Sequence, residues 1–266
     1  MRSSCRRVFC AAFIGLFSAM FWAQTAHAQG APAAVSCAAK SLGSFEVETV
    51  LDGRSFRLRD GREVLLAGIE VPSSSGKTWL AQRLTGKTVV LRQVTSETDR
   101  YERLLAQAFV TADSVERWIQ QELLATGQAQ VSARPGDSAC AKALLSAEAP
   151  ARRNRLGLWA NSDYSVKASS DLEGLLTRKS RFTVAEGKVL SVRESGGTIY
   201  INFGREWSRN LTVTILRRNL RAFEASGMDP KKLEGARVRV RGLVEERNGP
   251  RIEAVRPGQI EIAAQE

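Results

Sequence analysis

Two Asp-Gly pairs, Asp52-Gly53 and Asp60-Gly61, cut the stretch after Phe45 into short segments of apolar-polar alternation. Glycine accepts the positive φ of tight primed turns, so each pair marks a hairpin. The segments between them, residues 45–50, 56–59 and the apolar run 63–68, then read as three successive strands, a β-meander. A helix is expected around residues 77–84, with strands at 88–94 and 105–111. A second helix is expected where Val115, Trp118, Ile119 and Leu123 recur at helical spacing, capped by Asp113 or Ser114 and ended by Gly127. A third runs over residues 138–155, kinked or divided at Pro150. Three strands, a helix, two strands and further helices follow the order of an OB barrel with helical packing added.

Residues 161–181 are Ser-rich and polar without a sustained period, and read as a linker. Beyond them strands are expected at 184–192, 198–203 and 211–216, a short helix at 220–225, and strands at 237–244 and 251–255. The order of the first half returns without a residue-level repeat, which argues for shared architecture rather than duplication. The expected fold is therefore mainly β with α (α+β): an OB-fold barrel with helices over 42–160, then a second, smaller OB-like β-barrel over 182–262. A length of 266 residues accommodates two such domains.

Arg2, Arg6 and Arg7 precede an apolar run over 8–22 that ends in Ala26-His27-Ala28. This is the layout of a secretory signal peptide, residues 1–28, cleaved after Ala28. An apolar run of about 15 residues falls short of the roughly 20 that a hydrocarbon core requires, so no stable membrane span is expected after cleavage. The mature protein is expected to be periplasmic or secreted. Cleavage removes the only histidine, His27, together with Cys5 and Cys10. Histidine general-base catalysis, Ser-His-Asp hydrolysis and histidine-ligated metal sites are thereby excluded. Cys37 and Cys140 remain, and in an oxidising compartment they have one pairing open to them. Net charge falls from +11 to +8 when the three signal-peptide arginines leave, still a balance that attracts polyanions such as nucleic acid.

Four separated motifs carry a family resemblance: Val50-Leu51-Asp52-Gly53; the run from Gly61-Arg62-Glu63 through Val64-Leu65-Leu66-Ala67-Gly68 to Ile69-Glu70-Val71-Pro72; Asp99-Arg100-Tyr101-Glu102-Arg103; and Gly157-Leu158-Trp159. In order and spacing they make residues 42–160 resemble the thermonuclease (staphylococcal nuclease-like) family. Residues 182–262 resemble an OB-type domain that accompanies some exported members. The resemblance implies a thermonuclease-like barrel and calcium-assisted phosphodiester hydrolysis. Two aspartates would hold the ion, a glutamate would activate water, and two arginines would steady the phosphate, roles that suit calcium's oxygen preference and the guanidinium fork. Position by position, the first calcium aspartate falls on Arg54 and the second on Glu70. The strand arginine falls on Leu65, the general base on Ser73, and the second arginine is retained as Arg103.

A cation at a calcium position adds repulsion of about 4 kcal/mol per unit charge at 4 Å in an effective dielectric near 20. No metal site is therefore expected, and no cofactor; calcium enters only if the chain is an active nuclease. Asp52, Asp60, Glu63 and Asp99 suit hairpin and surface roles better than a second metal site. Arg54 and Arg103 become candidates for a joint anion site, with Arg103, retained, and Glu70, a conservative replacement, as the remaining catalytic positions. In the second barrel Arg205, Trp207 and Arg209 mix cation with aromatic beside a strand, which suits single-stranded nucleic acid, whereas Trp207 could equally plug the barrel. Arg237, Arg239 and Arg241 alternate along one strand, giving a charged face that is either exposed or covered by an acidic partner. The expected function is an exported, catalytically degenerate thermonuclease-like protein that binds nucleic acid or another polyanion in the cell envelope. The alternatives are an active metal-dependent endonuclease and a structural module that contacts an envelope protein partner.

Overall fold

The computed structural model describes residues 37, 40–72 and 74–263; the expected signal peptide and Ser73 lie outside them. The first half holds β1 (Lys40–Val50), β2 (Ser55–Leu58), β3 (Glu63–Leu66), β4 (Ile69–Glu70), α1 (Ser74–Leu84), β5 (Thr88–Thr98), β6 (Leu104–Ala112), β7 (Val115–Trp118), α2 (Ile119–Ala125), β8 (Gln130–Val131) and α3 (Ser138–Arg153). Strands β3, β2, β1, β5 and β6 form a sheet that closes on itself, because β3 also pairs in parallel with β6 through Val64, Leu65 and Leu66. β1 serves both neighbours by bending: its outer part pairs with β5 and its inner part, past an irregularity between Val47 and Thr49, with β2. The barrel encloses Val47, Phe56, Leu58, Val64, Leu66, Leu91 and Ala106, all essentially without solvent contact.

The second half contributes β9 (Lys167–Ala168), α4 (Leu172–Leu176), β10 (Phe182–Lys188), β11 (Ser191–Ser195), β12 (Thr198–Asn202), β13 (Thr212–Leu216), α5 (Arg217–Ala225), β14 (Arg237–Glu246), β15 (Pro250–Glu253) and β16 (Ile260–Ile262). β11, β12, β13, β15, β14 and β10 lie in that order, with β13 and β15 parallel. The chain runs from β10 directly into β11 and so joins the two ends of the sheet. This is the strand order of the first barrel again, with a helix in the same place after the third strand.

Local differences from the sequence reading have local causes. Asp113 and Ser114 are not a helix cap; both take positive φ, 51° and 62°, and turn β6 into β7 as a two-residue hairpin. α2 consequently starts only at Ile119. Of the two Asp-Gly turns only Gly61 takes the left-handed φ, at 87°. Gly53 is needed for space instead, since a Cβ there would lie 2.4 Å from Val71 Cγ1. α3 starts on Asp137, whose carboxylate accepts from Cys140 N–H at 2.8 Å, and runs unbroken past Pro150. Pro150 falls in the last turn, and Ser146, four residues before it, is exposed, so the carbonyl left without a donor can meet water. Cys37 and Cys140 form a disulfide. The segment expected as a linker carries β9, which pairs with β10, and α4, capped by Asp171.

The two barrels share a seam. Val238 and Val240 point into the second core, so the arginines between them face the other way. At Arg239 and Arg241 that face is covered by acids of this same chain, whereas Arg237 at its end stays exposed. Arg241 is fully buried and grips Glu148 of α3, also fully buried, with Nη1 at 3.0 Å and Nη2 at 2.9 Å from its two carboxylate oxygens. Arg241 also donates to the Val131 carbonyl at 3.1 Å, and Glu148 accepts from Val131 N–H at 2.7 Å and from Arg152 at 2.7 Å. Glu186 and Glu261 bind Arg239, and Glu186 binds Arg237. Desolvation works against the Arg241 charge, yet Glu148 and Glu261 outweigh it and hold the guanidinium above its ordinary range. Beside this network Ala151, Trp159 and Val184 make a small apolar cluster across the seam. Gly258 lets the chain press onto α3, where a Cβ would lie 2.9 Å from that of Ala141.

Candidate functional site

Arg54 leaves the first hairpin immediately after Gly53, its own N–H held by the Asp52 carboxylate at 2.8 Å. The side chain crosses to β4, where Nη1 donates to Glu70 Oε2 at 2.8 Å and to the Ile69 carbonyl at 3.2 Å. Burial pushes the Glu70 carboxyl above its ordinary range, and the neighbouring guanidinium only partly offsets this. Leu65, on β3, is buried. Arg103 has other partners: its Nε and Nη2 bond to Asp99 Oδ2 at 2.9 and 2.7 Å, and the guanidinium lies 5.1 Å from the Tyr101 ring. Desolvation raises the Asp99 carboxyl, but the bonds from Arg103 and from two backbone N–H groups outweigh it and leave it below the usual range.

Arg54 and Arg103, paired in the sequence reading, are thus each committed to a separate carboxylate. Arg54 and Glu70 border a cavity of about 380 Å³, where their neighbours are Tyr164, Arg178, Arg181 and Phe182. Sequence reasoning passed over those residues because they lie in or beside the presumed linker. The basic run Arg178-Lys179-Ser180-Arg181 next to Phe182 was the available signal. The other acids near the hairpins have partners of their own: Asp60 binds Arg62, which lowers its pKa, and Glu63 binds Arg57. Among the described residues no cluster of three or more His, Cys, Asp or Glu is placed to hold a metal ion.

A second cavity, about 690 Å³, opens on the second barrel between the start of β11 and the loop after β12. Leu190, Arg193, Tyr200, Asn202, Arg205 and Trp207 line it, and no carboxylate does. Trp207 is 62% exposed, so it does not plug the barrel. Its loop is held compactly: Arg209 N–H and Asn210 Nδ2 both donate to the Glu206 carbonyl, at 2.9 and 3.0 Å. From the far side Gly249 comes so near that a Cβ would stand 2.3 Å from the Trp207 carbonyl oxygen. Arg205 joins Trp207 in the cavity wall, whereas Arg209 is absent from it and faces Glu206 at 3.7 Å. An aromatic pair flanked by two guanidiniums offers flat faces for bases and charge for phosphates.

No curated protein matches the chain. Among solved structures it is similar to an aspartyl-tRNA synthetase from Entamoeba histolytica, with 12% identity, coverage of 34% of this chain and 20% of that one, and a TM-score of 0.27. An OBody bound to hen egg-white lysozyme gives 19% identity, 34% and 85% coverage and a TM-score of 0.25. An asparaginyl-tRNA synthetase from Pyrococcus horikoshii gives 14% identity, 32% and 20% coverage and a TM-score of 0.24. The chain therefore spans about a fifth of the length of either synthetase. A family model described as staphylococcal nuclease homologue matches residues 64–161. Over that stretch the chain is similar to staphylococcal nuclease homologues, and the five-strand barrel closed by β3 and β6 agrees with an OB-type fold there.

Proposed function

We propose that this is an exported, non-hydrolytic relative of the thermonucleases that binds nucleic acid or a similar polyanion in the cell envelope. The acid-free cavity of the second barrel carries the reading: exposed Trp207 and half-buried Tyr200 stand beside Arg193 and Arg205 with no carboxylate in the wall to compete for them. The first barrel supports it. At the two positions where the family holds calcium, Arg54 and Glu70 neutralise one another at 2.8 Å, and the Ile69 carbonyl is taken as well. A dication brought there would meet a guanidinium instead of an aspartate, so the donor set does not suit calcium. Export is supported by the charged and apolar pattern of residues 1–28 and by the Cys37–Cys140 disulfide, a bond that persists in oxidising compartments. Among the described residues no helix is long and apolar enough to cross a membrane.

The test uses the mature protein and labelled single-stranded DNA. Arg193→Ala with Arg205→Ala should flatten the salt dependence of log K by about 1.4, two phosphate contacts at roughly 0.7 each. Trp207→Ala should weaken binding by about 1–3 kcal/mol, the worth of one stacking platform. Parallel incubations with DNA and RNA in calcium, manganese and chelator should leave the strands intact. Metal-dependent cleavage lost on Glu70→Ala would overturn the non-hydrolytic reading, and binding indifferent to all three cavity substitutions would overturn the interface.

A further inference from the structure

Among the described residues, buried guanidiniums have carboxylate partners, with Arg178 as the exception. Arg241 has Glu148, and Arg239 has Glu186 and Glu261. Arg178 is 7% exposed, yet no carboxylate of the described residues comes within ion-pair distance of it. Its Nη2 makes a single long bond, 3.4 Å, to the Phe182 carbonyl, and its Nε is buried without an acceptor. The Tyr164 ring lies 6.0 Å away and supplies no countercharge beyond its face. Burying an uncompensated charge is costly enough that proteins rarely leave one so. Arg178 lines the 380 Å³ cavity, where Arg54 and exposed Arg181 stand beside it.

We propose that this inter-barrel cavity is a binding site for a phosphate monoester, with Arg178 as its principal anchor and Arg181 as the flanking cation, while Arg54, paired with Glu70, forms part of the wall. Forked guanidinium donors fit a terminal phosphate, which presents several oxygens to more than one arginine. Of the two acids in the wall, Glu70 is already bonded to Arg54, and Asp163 is exposed at the rim. The volume falls in the range of small-ligand sites and holds about one nucleotide, while Tyr164 and Phe182 give it a flat apolar side. The site draws its anchor from outside the nuclease-like domain and includes neither Leu65 nor Arg103. It is independent of the cavity on the second barrel. The phosphate could belong to a free nucleotide or to the end of a strand, and the two sources are separable.

Isothermal titration of the mature protein with adenosine 5′-monophosphate, inorganic phosphate and adenosine reads the site directly. The monophosphate should bind and adenosine should not. Arg178→Met and the exposed substitution Arg181→Ala should each weaken the monophosphate, the former about tenfold or more, while Arg59→Ala, a surface arginine elsewhere, should change nothing. Circular dichroism checks that Arg178→Met folds; if it does not, Arg181→Ala and the adenosine comparison still decide. A 5′-phosphorylated oligonucleotide favoured over its unphosphorylated twin, with the preference lost in Arg181→Ala, assigns the site to strand ends; equal binding of the twins alongside tight monophosphate binding assigns it to free nucleotides. Adenosine binding as well as its monophosphate, or affinity unmoved by both arginine substitutions, would overturn the proposal. Neither result would touch the second-barrel interface, which the unphosphorylated strand reports by itself.

Discussion

Removing the carboxylate of Glu148 should damage the fold far more than removing the arginine it holds. Glu148→Gln leaves Arg241, fully buried, with Glu261 at 3.4 Å as its remaining carboxylate among the described residues, and deprives Arg152 of its 2.7 Å ionic partner. Breaking a buried pair from the side that strands a charge costs about 3–5 kcal/mol. Arg241→Met strands less: Glu148 keeps Arg152 and the Val131 N–H, and the one group left without a donor is the Val131 carbonyl. An orphaned buried acceptor of that kind costs about 1–3 kcal/mol. Urea titration followed by the fluorescence of buried Trp118 and Trp159 measures both variants on one scale, with the slope checked for constancy. The double variant Glu148→Leu, Arg241→Met should regain stability relative to Glu148→Gln, since apolar replacements of comparable size carry no desolvation penalty. Equal losses in the two single variants, or a loss below about 1 kcal/mol for Glu148→Gln, would refute the idea that the seam is an enclosed charge network.

Two further outcomes follow. Desolvation raises the Glu186 carboxyl, but the guanidiniums of Arg237 and Arg239 outweigh it and depress its pKa. The stability it contributes is therefore complete above the ordinary carboxylate pKa and lost as pH falls through the lower folded value. Glu186→Gln should show a shallower fall in thermal midpoint over that acidic window, and an unchanged acid limb would contradict the assignment. Cys37→Ser opens a cross-link of sequence separation 103, so its thermal midpoint should fall to that of the reduced parent protein. The loss should not exceed about 5 kcal/mol in the chain-entropy limit, and a midpoint indifferent to reductant would count against the bond's role.

The barrels were legible because their strands announce themselves twice, by apolar alternation and by turn residues at fixed places. α2 was overextended for a definite reason. Val115, Trp118 and Ile119 satisfy helical spacing, but Asp113 and Ser114 both adopt positive φ, which a sequence pattern records only as two polar residues ahead of an apolar run. The Gly53 turn was found for the wrong reason, because close approach by Val71 is a tertiary fact. The arginines of β14 displayed a charged face without saying what lies on it. Glu148 is 93 residues away in sequence, and nothing local ties it to Arg241. The candidate site divides in the same way: Arg54, Glu70, Arg205 and Trp207 stood out by motif or composition, whereas Tyr164 and Arg178 join a cavity only once the second barrel packs against the first.

Cys140 lies in the first turn of α3, and the later turns of that helix carry Glu148 and Arg152. The covalent anchor of the N-terminal segment and the electrostatic clasp on the second barrel are therefore two ends of one rigid rod. One helix thus ties both Cys37 and the arginine strand β14 to the same element, so the cystine and the carboxylate clasp brace a single piece of backbone.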